Sequence, residues 1–288
     1  LIKIFTDSTS YIPKDIQLEY DISILPLSVN VGGKEYIETQ ISNDSFYEMI
    51  KRNNKPAKSS PPNLDVIVEA FEEDIKNNNQ ILGVFITSFA SETYKLACKA
   101  KEILLKKYTR ANITIIDSMS TSMQLGLAVL AAAEASKRGA WLEDVVKSVD
   151  ETMKRTRFLF IPATLKYLEI NGRIGKAKAL VGNLMKMIPL LTTSGGQIAP
   201  FETIRTYQKA IDRMVEVLKS DMDKYGIERV VVTHIDAIDE ATTLVNRLKE
   251  ISGVDVAISD VGPVVGGNVG PGTIGFVYKT IQEMPIAG

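Results

Sequence analysis

The chain predicts an α/β fold of two domains with largely parallel sheets covered by helices. Three observations carry this. Short β-rich apolar runs alternate with longer segments of helical periodicity, the pattern of strands joined by covering helices. The 288 residues exceed one average domain. The composition, 45% hydrophobic and 24% charged, suffices for a sizeable core.

The first half opens with a strand at 2–5 and a short helix at 14–20, after Pro13. A strand at 24–31 ends at the Gly32-Gly33 turn, and a helix follows at 42–52. Residues 53–63 contain Pro56, Pro61 and Pro62 and read as a loop. A helix at 64–77, a buried strand at 81–86, a helix at 91–108 and a strand at 113–116 continue the alternation. The alanine-rich helix 122–138 stops at Gly139, the position after a helix that favours glycine. A helix at 142–157 closes the unit, giving expected domains 1–157 and 158–288.

The second half starts with a strand at 158–161 and a short helix at 165–170. A helix is expected at 176–187, with Leu180, Leu184, Met187 and Ile188 on one face, followed by a hairpin at 190–205 around Gly195-Gly196. Helices at 209–224 and 240–251 then alternate with strands at 230–233, 254–259 and 274–279. The stretch from Val261 to Gly272 holds five glycines and two prolines. It matches neither a dinucleotide fingerprint nor a phosphate-binding P-loop. It suits close backbone approach to a ligand or a bulged turn, and a nucleotide or sugar-phosphate binder is the reading that would rest on it.

Composition excludes several functions. A net charge of −1 gives no electrostatic reason to expect nucleic acid. A single cysteine, Cys98, permits no internal disulfide, and with one histidine, His234, it leaves no basis for an imidazole or thiolate zinc site. No metal or cofactor is expected. No apolar stretch approaches a membrane span. The opening run 1–5 breaks at Thr6-Asp7, too early for a signal-peptide core, so the expected location is cytoplasmic.

The candidate chemistry lies where strands end. Three apolar strands run into hydroxyl clusters: Thr6-Asp7-Ser8-Thr9-Ser10, Thr87-Ser88-Phe89-Ala90-Ser91-Glu92-Thr93, and Asp117-Ser118-Met119-Ser120-Thr121-Ser122. Lys58-Ser59-Ser60-Pro61-Pro62 has the same character, stiffened by proline. In open parallel sheets ligands bind beyond the carboxyl ends of the strands, where such hydroxyls suit an anion. Each Ser or Thr equally suits a helix N-cap. Ser88 or Ser91 with His234 would supply a serine-dependent lipid hydrolase or acyltransferase, although the strained elbow motif of such enzymes is absent. Arg173 and Arg205 stand at turns or element ends, suited to solvent, an anion or a partner.

These motifs, in this order, resemble the DegV family, including the fatty-acid-binding subunits of bacterial fatty acid kinase. Asp7-Ser8-Thr9 is similar to its opening D-S-T, Lys58-Ser59-Ser60-Pro61-Pro62 to K-T-S-Q-P, and Thr87 to Tyr94 to S-S-x-L-S-G-T-Y. Tyr167 to Ile174 resembles Y-L-x-x-G-G-R-I, and Val269-Gly270-Pro271-Gly272 the end of H-x-G-P-G. The resemblance implies two α/β domains with one long-chain fatty acid buried between them. It further implies a carrier, not a catalyst, that presents the carboxylate to a separate ATP-dependent kinase making an acyl phosphate. The implied fatty-acid-binding residues are Ser59, Ser60, Ser88, Ser91, Thr93, Gly267 and Asn268, with Ser59 and Ser88 foremost on the carboxylate. Arg173 and Arg205 are implied in partner or head-group contact. The chain departs from the pattern at Ser59 (family threonine), Glu92 (glycine) and Asn268 (histidine). Asparagine donates a hydrogen bond but carries no proton to transfer.

Overall fold

The computed structural model describes residues 1–53, 55–182 and 187–285. Four strands, β1 (Ile2–Asp7), β2 (Ile22–Leu25), β6 (Gln80–Phe85) and β7 (Ile113–Asp117), form a sheet in the order β2-β1-β6-β7 with all pairings parallel. Alternate side chains leave its two faces. Phe5, Ile81 and Phe85 pack under helices α3 (Leu64–Lys76) and α4 (Thr93–Lys107), whereas Ile4, Leu82 and Val84 join the central core.

The chain leaves helix α6 (Leu142–Arg155) directly into β8 (Thr156–Ile161), two residues before the expected boundary. With β9 (Ile188–Ser194), β10 (Gln197–Ile204), β11 (Arg229–Ile235), β12 (Val256–Asp260) and β13 (Thr273–Lys279), β8 builds a six-stranded sheet ordered β10-β9-β8-β13-β11-β12. The parallel expectation holds for the first sheet. In the second only β11 and β12 run parallel, and the other pairings are antiparallel. For β9 and β10 the reason is local: Gly195 and Gly196, at φ +57° and +80°, close a two-residue hairpin too short for a crossover.

Helix α5 (Ser122–Lys137) lies between the sheets. It is buried on all sides, which is why its sequence is alanine-rich with no polar face. One core cluster therefore runs through both halves, from Ile4 and Leu82 through Leu125 and Val129 to Phe160 and Val277. A second core under helices α8 (Tyr207–Tyr225) and α9 (Ile238–Ser252) closes the outer face of the six-stranded sheet.

Several segments differ from expectation. Residues 24–31 are not one strand: Pro26 splits them into β2 and β3 (Ser28–Val31), which join different sheets. The proline-rich loop contains β5 (Lys58–Ser60), paired with β3 in a small antiparallel sheet that also includes β4 (Lys34–Ile37). The expected helix 176–187 is a 3-10 segment, Gly175–Leu180, and Val181 is already extended. Leu184 of the expected stripe falls in 183–186, outside the described residues. The glycine-rich stretch is neither bulge nor open loop but a short helix, α10 (Pro263–Val269). Among the described residues no helix is long and apolar enough to cross a membrane.

Candidate functional site

Between the two sheets lies a cavity of about 240 Å³. The ends of the parallel strands, the β9–β10 hairpin, β5 and α10 enclose it. Ser59, Ser91, Thr121, Arg173 and Asn268 contribute polar groups; Leu27, Ile86, Leu168, Ile198, Val264 and Val265 contribute hydrocarbon. An inner cavity of about 40 Å³ shares the wall residues Thr121, Thr193, Ile198, Val265 and Val269 with the first and is otherwise lined mainly by Phe158, Phe160, Ile235 and Val261. A cavity that mixes polar groups with hydrocarbon thus adjoins a smaller one whose surface is almost wholly apolar.

Ser91 does two things. Its Oγ accepts the Thr93 N–H at 3.3 Å at the start of α4 and lies 2.8 Å from Thr93 Oγ1, yet the residue lines the cavity. A local backbone hydrogen bond and a place on the cavity wall, alternatives in the sequence, coexist on one residue. Ser59 sits half-buried on β5, opposite Val29 of β3. Ser88 does not line the cavity; its N–H donates to Asp117 Oδ2 at 3.2 Å. Ser60, Thr93, Gly267 and Arg205 also lie off its wall. Ser60 is exposed, Thr93 is buried at the foot of α4, Gly267 packs on Ala57, and Arg205 stands exposed at the end of the hairpin.

The first and third hydroxyl clusters spend most of their polar groups internally. Asp7 accepts bonds from Thr9 and from the Ile86 N–H, and Ser8 Oγ accepts the Leu27 N–H. Ser118 and Ser120 bond to each other.

Asn171 and Arg173 explain why the two serine segments meet. Asn171 Nδ2 donates to the Ala57 carbonyl at 2.9 Å, just before β5. Arg173 Nε donates to the Ala90 carbonyl at 3.3 Å, beside Ser91, and its Nη1 donates to the Asn171 carbonyl. One turn of the second half thus holds Ser59 and Ser91 against the same chamber.

Helix α10 is set by side chains far away in sequence. Glu38 accepts the Val264 N–H at 2.8 Å and the Tyr11 hydroxyl at 3.0 Å; Tyr11 accepts the Val265 N–H at 3.1 Å; Tyr47 donates to the Val261 carbonyl at 2.5 Å. Burial pushes the Glu38 carboxyl up to about 7, against the pull of these donors. A β-carbon on Gly266 would sit 1.9 Å from the Tyr47 hydroxyl, so glycine is required there by close approach. No local pattern announces Glu38, Tyr11 or Tyr47 as part of the site. Asn268, on this helix, donates Nδ2 to the Val264 carbonyl at 2.6 Å and leaves Oδ1 without a partner.

His234 lies on the inner cavity, not the serine chamber. Its Nδ1 accepts the Ala237 N–H at 3.4 Å, and among the described residues no hydrogen bond joins it to Ser88 or Ser91. The nucleophile–base contact that hydrolysis needs is therefore absent from this arrangement. Among the described residues no cluster of three or more His, Cys, Asp or Glu could hold a metal ion.

Comparison with known proteins places this geometry. A family model described as an uncharacterised protein of the DegV family matches residues 1–280. A DegV domain-containing protein of Clostridium acetobutylicum is 42% identical over 98% of this chain and 99% of its own. Among solved structures, DegV of Bacillus subtilis, described as a fatty acid binding protein, superposes with a TM-score of 0.88 at 31% identity, covering 97% of this chain and 99% of that one. A DegV lipid binding protein of Thermotoga maritima gives 0.83 at 28% identity, covering 98% and 99%. The matched length, the shared fold and the order of the motifs around the cavity agree: the chain belongs to the DegV family.

Proposed function

We propose that this protein carries one long-chain fatty acid between its two α/β halves and hands it to a separate ATP-dependent kinase that makes an acyl phosphate. The carboxylate rests on the hydroxyls of Ser59 and Ser91, with Asn268 and Arg173 beside it, and the tail runs toward the inner apolar cavity. The observation that carries the reading is the two-part cavity, a hydroxyl-bearing chamber opening into hydrocarbon walls. The fatty-acid binding described for the Bacillus relative supports it.

The energetics are consistent. Each buried methylene contributes about 0.8 kcal/mol, so the tail supplies most of the affinity. The hydroxyls then have to satisfy the carboxylate, because a charge left unpaired in apolar surroundings is costly. The protein acts as a carrier, not a catalyst, in the cytoplasm, and needs no metal or cofactor. Arg205, exposed at the hairpin end, is available to a partner such as the kinase.

Organic extraction and native mass spectrometry of the purified protein should reveal a bound fatty acid, and the delipidated protein should take up labelled palmitate. Protein that is clean as purified and also refuses palmitate would sink the proposal. A fluorophosphonate probe should leave Ser91 unlabelled; labelling that depends on His234 would favour an enzyme instead. Acyl phosphate formation with a bacterial fatty acid kinase tests the partner, and its absence removes that part of the reading alone.

A further inference from the structure

The hydrocarbon does not end at the inner cavity. Beside it a groove of about 390 Å³ runs between helix α1 (Lys14–Glu19), helix α5 and strands β11 and β12. Ile16, Leu127, Leu130, Val231 and Ile258 give it apolar walls. Its acidic residues are matched by cations, Glu19 by Lys137 and Glu134 by Arg229 among them, so hydrocarbon suits it better than an ion. β12 is the edge of the six-stranded sheet and Ile258 is 38% exposed, so the groove opens to solvent. Exposed apolar surface of this kind marks a binding groove.

A thin wall divides groove from inner cavity. Thr233 lines the inner cavity, and Ser259, its register partner on β12, lines the groove. Neighbouring strands lie about 4.8 Å apart, so the two spaces meet across one strand-to-strand step. Along β11 the same face passes from Thr233 to Val231, which lines the groove. On the facing helix Ser122 borders the inner cavity and Met123 the groove. Thr233, Ser259 and Ser122 are small, and Met123 supplies the long side chain of the wall. It lies back over Gly126, where a β-carbon would come within 3.0 Å of its Sδ. An unbranched side chain with three rotatable bonds can swing aside where a branched one would not.

We infer that this groove is the far end of the acyl path: a chain longer than the two cavities hold passes Met123 and lays its terminal methylenes between α1, α5 and β12. The occupant follows from continuity, because an apolar tail already in the inner cavity meets the groove behind one small-residue wall. The inference rests on the fatty-acid reading above and extends its ligand class to very long chains.

The test is a series of saturated acids, palmitic, stearic, arachidic and behenic, competing with a fluorescent fatty acid on the delipidated full chain. Affinity should keep rising to behenic acid, because each added methylene is buried. Ala257, the register partner of Val231, lines the groove at an exposed edge position, so Ala257→Trp fills the groove and spares the core. This variant should bind behenic acid about tenfold more weakly, as if roughly two methylenes had returned to water, and palmitic acid as the parent does. Met123→Ala should widen the passage and strengthen behenic relative to palmitic acid. If it fails to fold, Ala257→Trp still decides. Behenic acid binding no more tightly than palmitic acid overturns the inference and leaves the fatty-acid reading standing. So does a preference for behenic acid that Ala257→Trp does not reduce, since the tail then lies elsewhere. Failure of every acid in the series overturns both.

Discussion

The two sheets contribute to the site in different ways. In the four-stranded sheet every pairing is parallel, so successive loops emerge at one end, and Ser91 and Thr121 arrive at the chamber from neighbouring strand ends. The six-stranded sheet is mostly antiparallel, and its connections are shared between both ends. It offers a face instead: Phe158, Phe160 and Ile235 line the inner cavity. Parallel topology gathers polar loop groups, and a sheet face supplies hydrocarbon. Helix α10 joins the two, because it belongs to the second half but is fastened by Glu38, Tyr11 and Tyr47 of the first.

The largest expected effect comes from prying that junction apart. Gly266→Ala drives a methyl into the buried Tyr47 hydroxyl and should cost about 3 kcal/mol by chemical denaturation, with loss of fatty-acid binding. A variant as stable as the parent would show that the junction is soft.

Next is the pH dependence of the same fastening. The Glu38 carboxyl, normally near 4.5, is raised to about 7 in the folded protein. Between those values the native state holds a proton that the unfolded state has released. Stability from this group is complete below about pH 4.5 and is lost as pH rises through 7. Glu38→Gln should remove that decline and leave the protein about 2 kcal/mol more stable than the parent at pH 8, read from denaturation at several pH values. A variant whose pH profile matches the parent's would exclude Glu38 as the source.

A smaller effect separates polar chamber from apolar face. Ser59→Ala with Ser91→Ala should weaken fatty-acid binding about tenfold, or about 1.4 kcal/mol, while the cavity walls still hold the tail. The Ser91 change should also lower the melting temperature slightly through the lost hydrogen bond from the Thr93 N–H. Unchanged affinity in both single variants and the double variant would remove these hydroxyls from the head-group assignment. Smallest of all, Arg205→Ala should leave fatty-acid affinity within about 0.5 kcal/mol of the parent, because it lies off the cavity wall. A larger loss would mean the hairpin end reaches the ligand.

How far the sequence could be read depended on the range of the forces involved. Gly195-Gly196 announced its hairpin and Gly139 its helix end, because both are decided by the conformation of one or two residues. Pro26 carried the signal that divides residues 24–31 between two sheets, but alternation alone made them look continuous. Helix α10 was illegible, since its glycines are poor helix formers and its backbone donors are held by Glu38 and Tyr11, more than two hundred residues away. The motif around residues 87–93 offered both Ser88 and Ser91 without showing which of them faces the cavity. The turn in which the Ala90 and Ser91 N–H groups both return to the Thr87 carbonyl leaves Ser91, not Ser88, on the cavity wall.

The amino-acid order by itself determined the alternation of strands and helices, the alanine-rich helix that ends at Gly139, and the hydroxyl-rich strand ends that mark a DegV protein. These follow from periodicity and from the conformational preferences of glycine, proline and the small polar residues, all of which act over a few neighbouring residues. Tertiary structure decided which hydroxyls face the cavity, where the lone histidine lies, and how the glycine-rich segment becomes a helix. Those outcomes depend on close approach and hydrogen bonding between segments distant in the chain, and no local pattern encodes such distances.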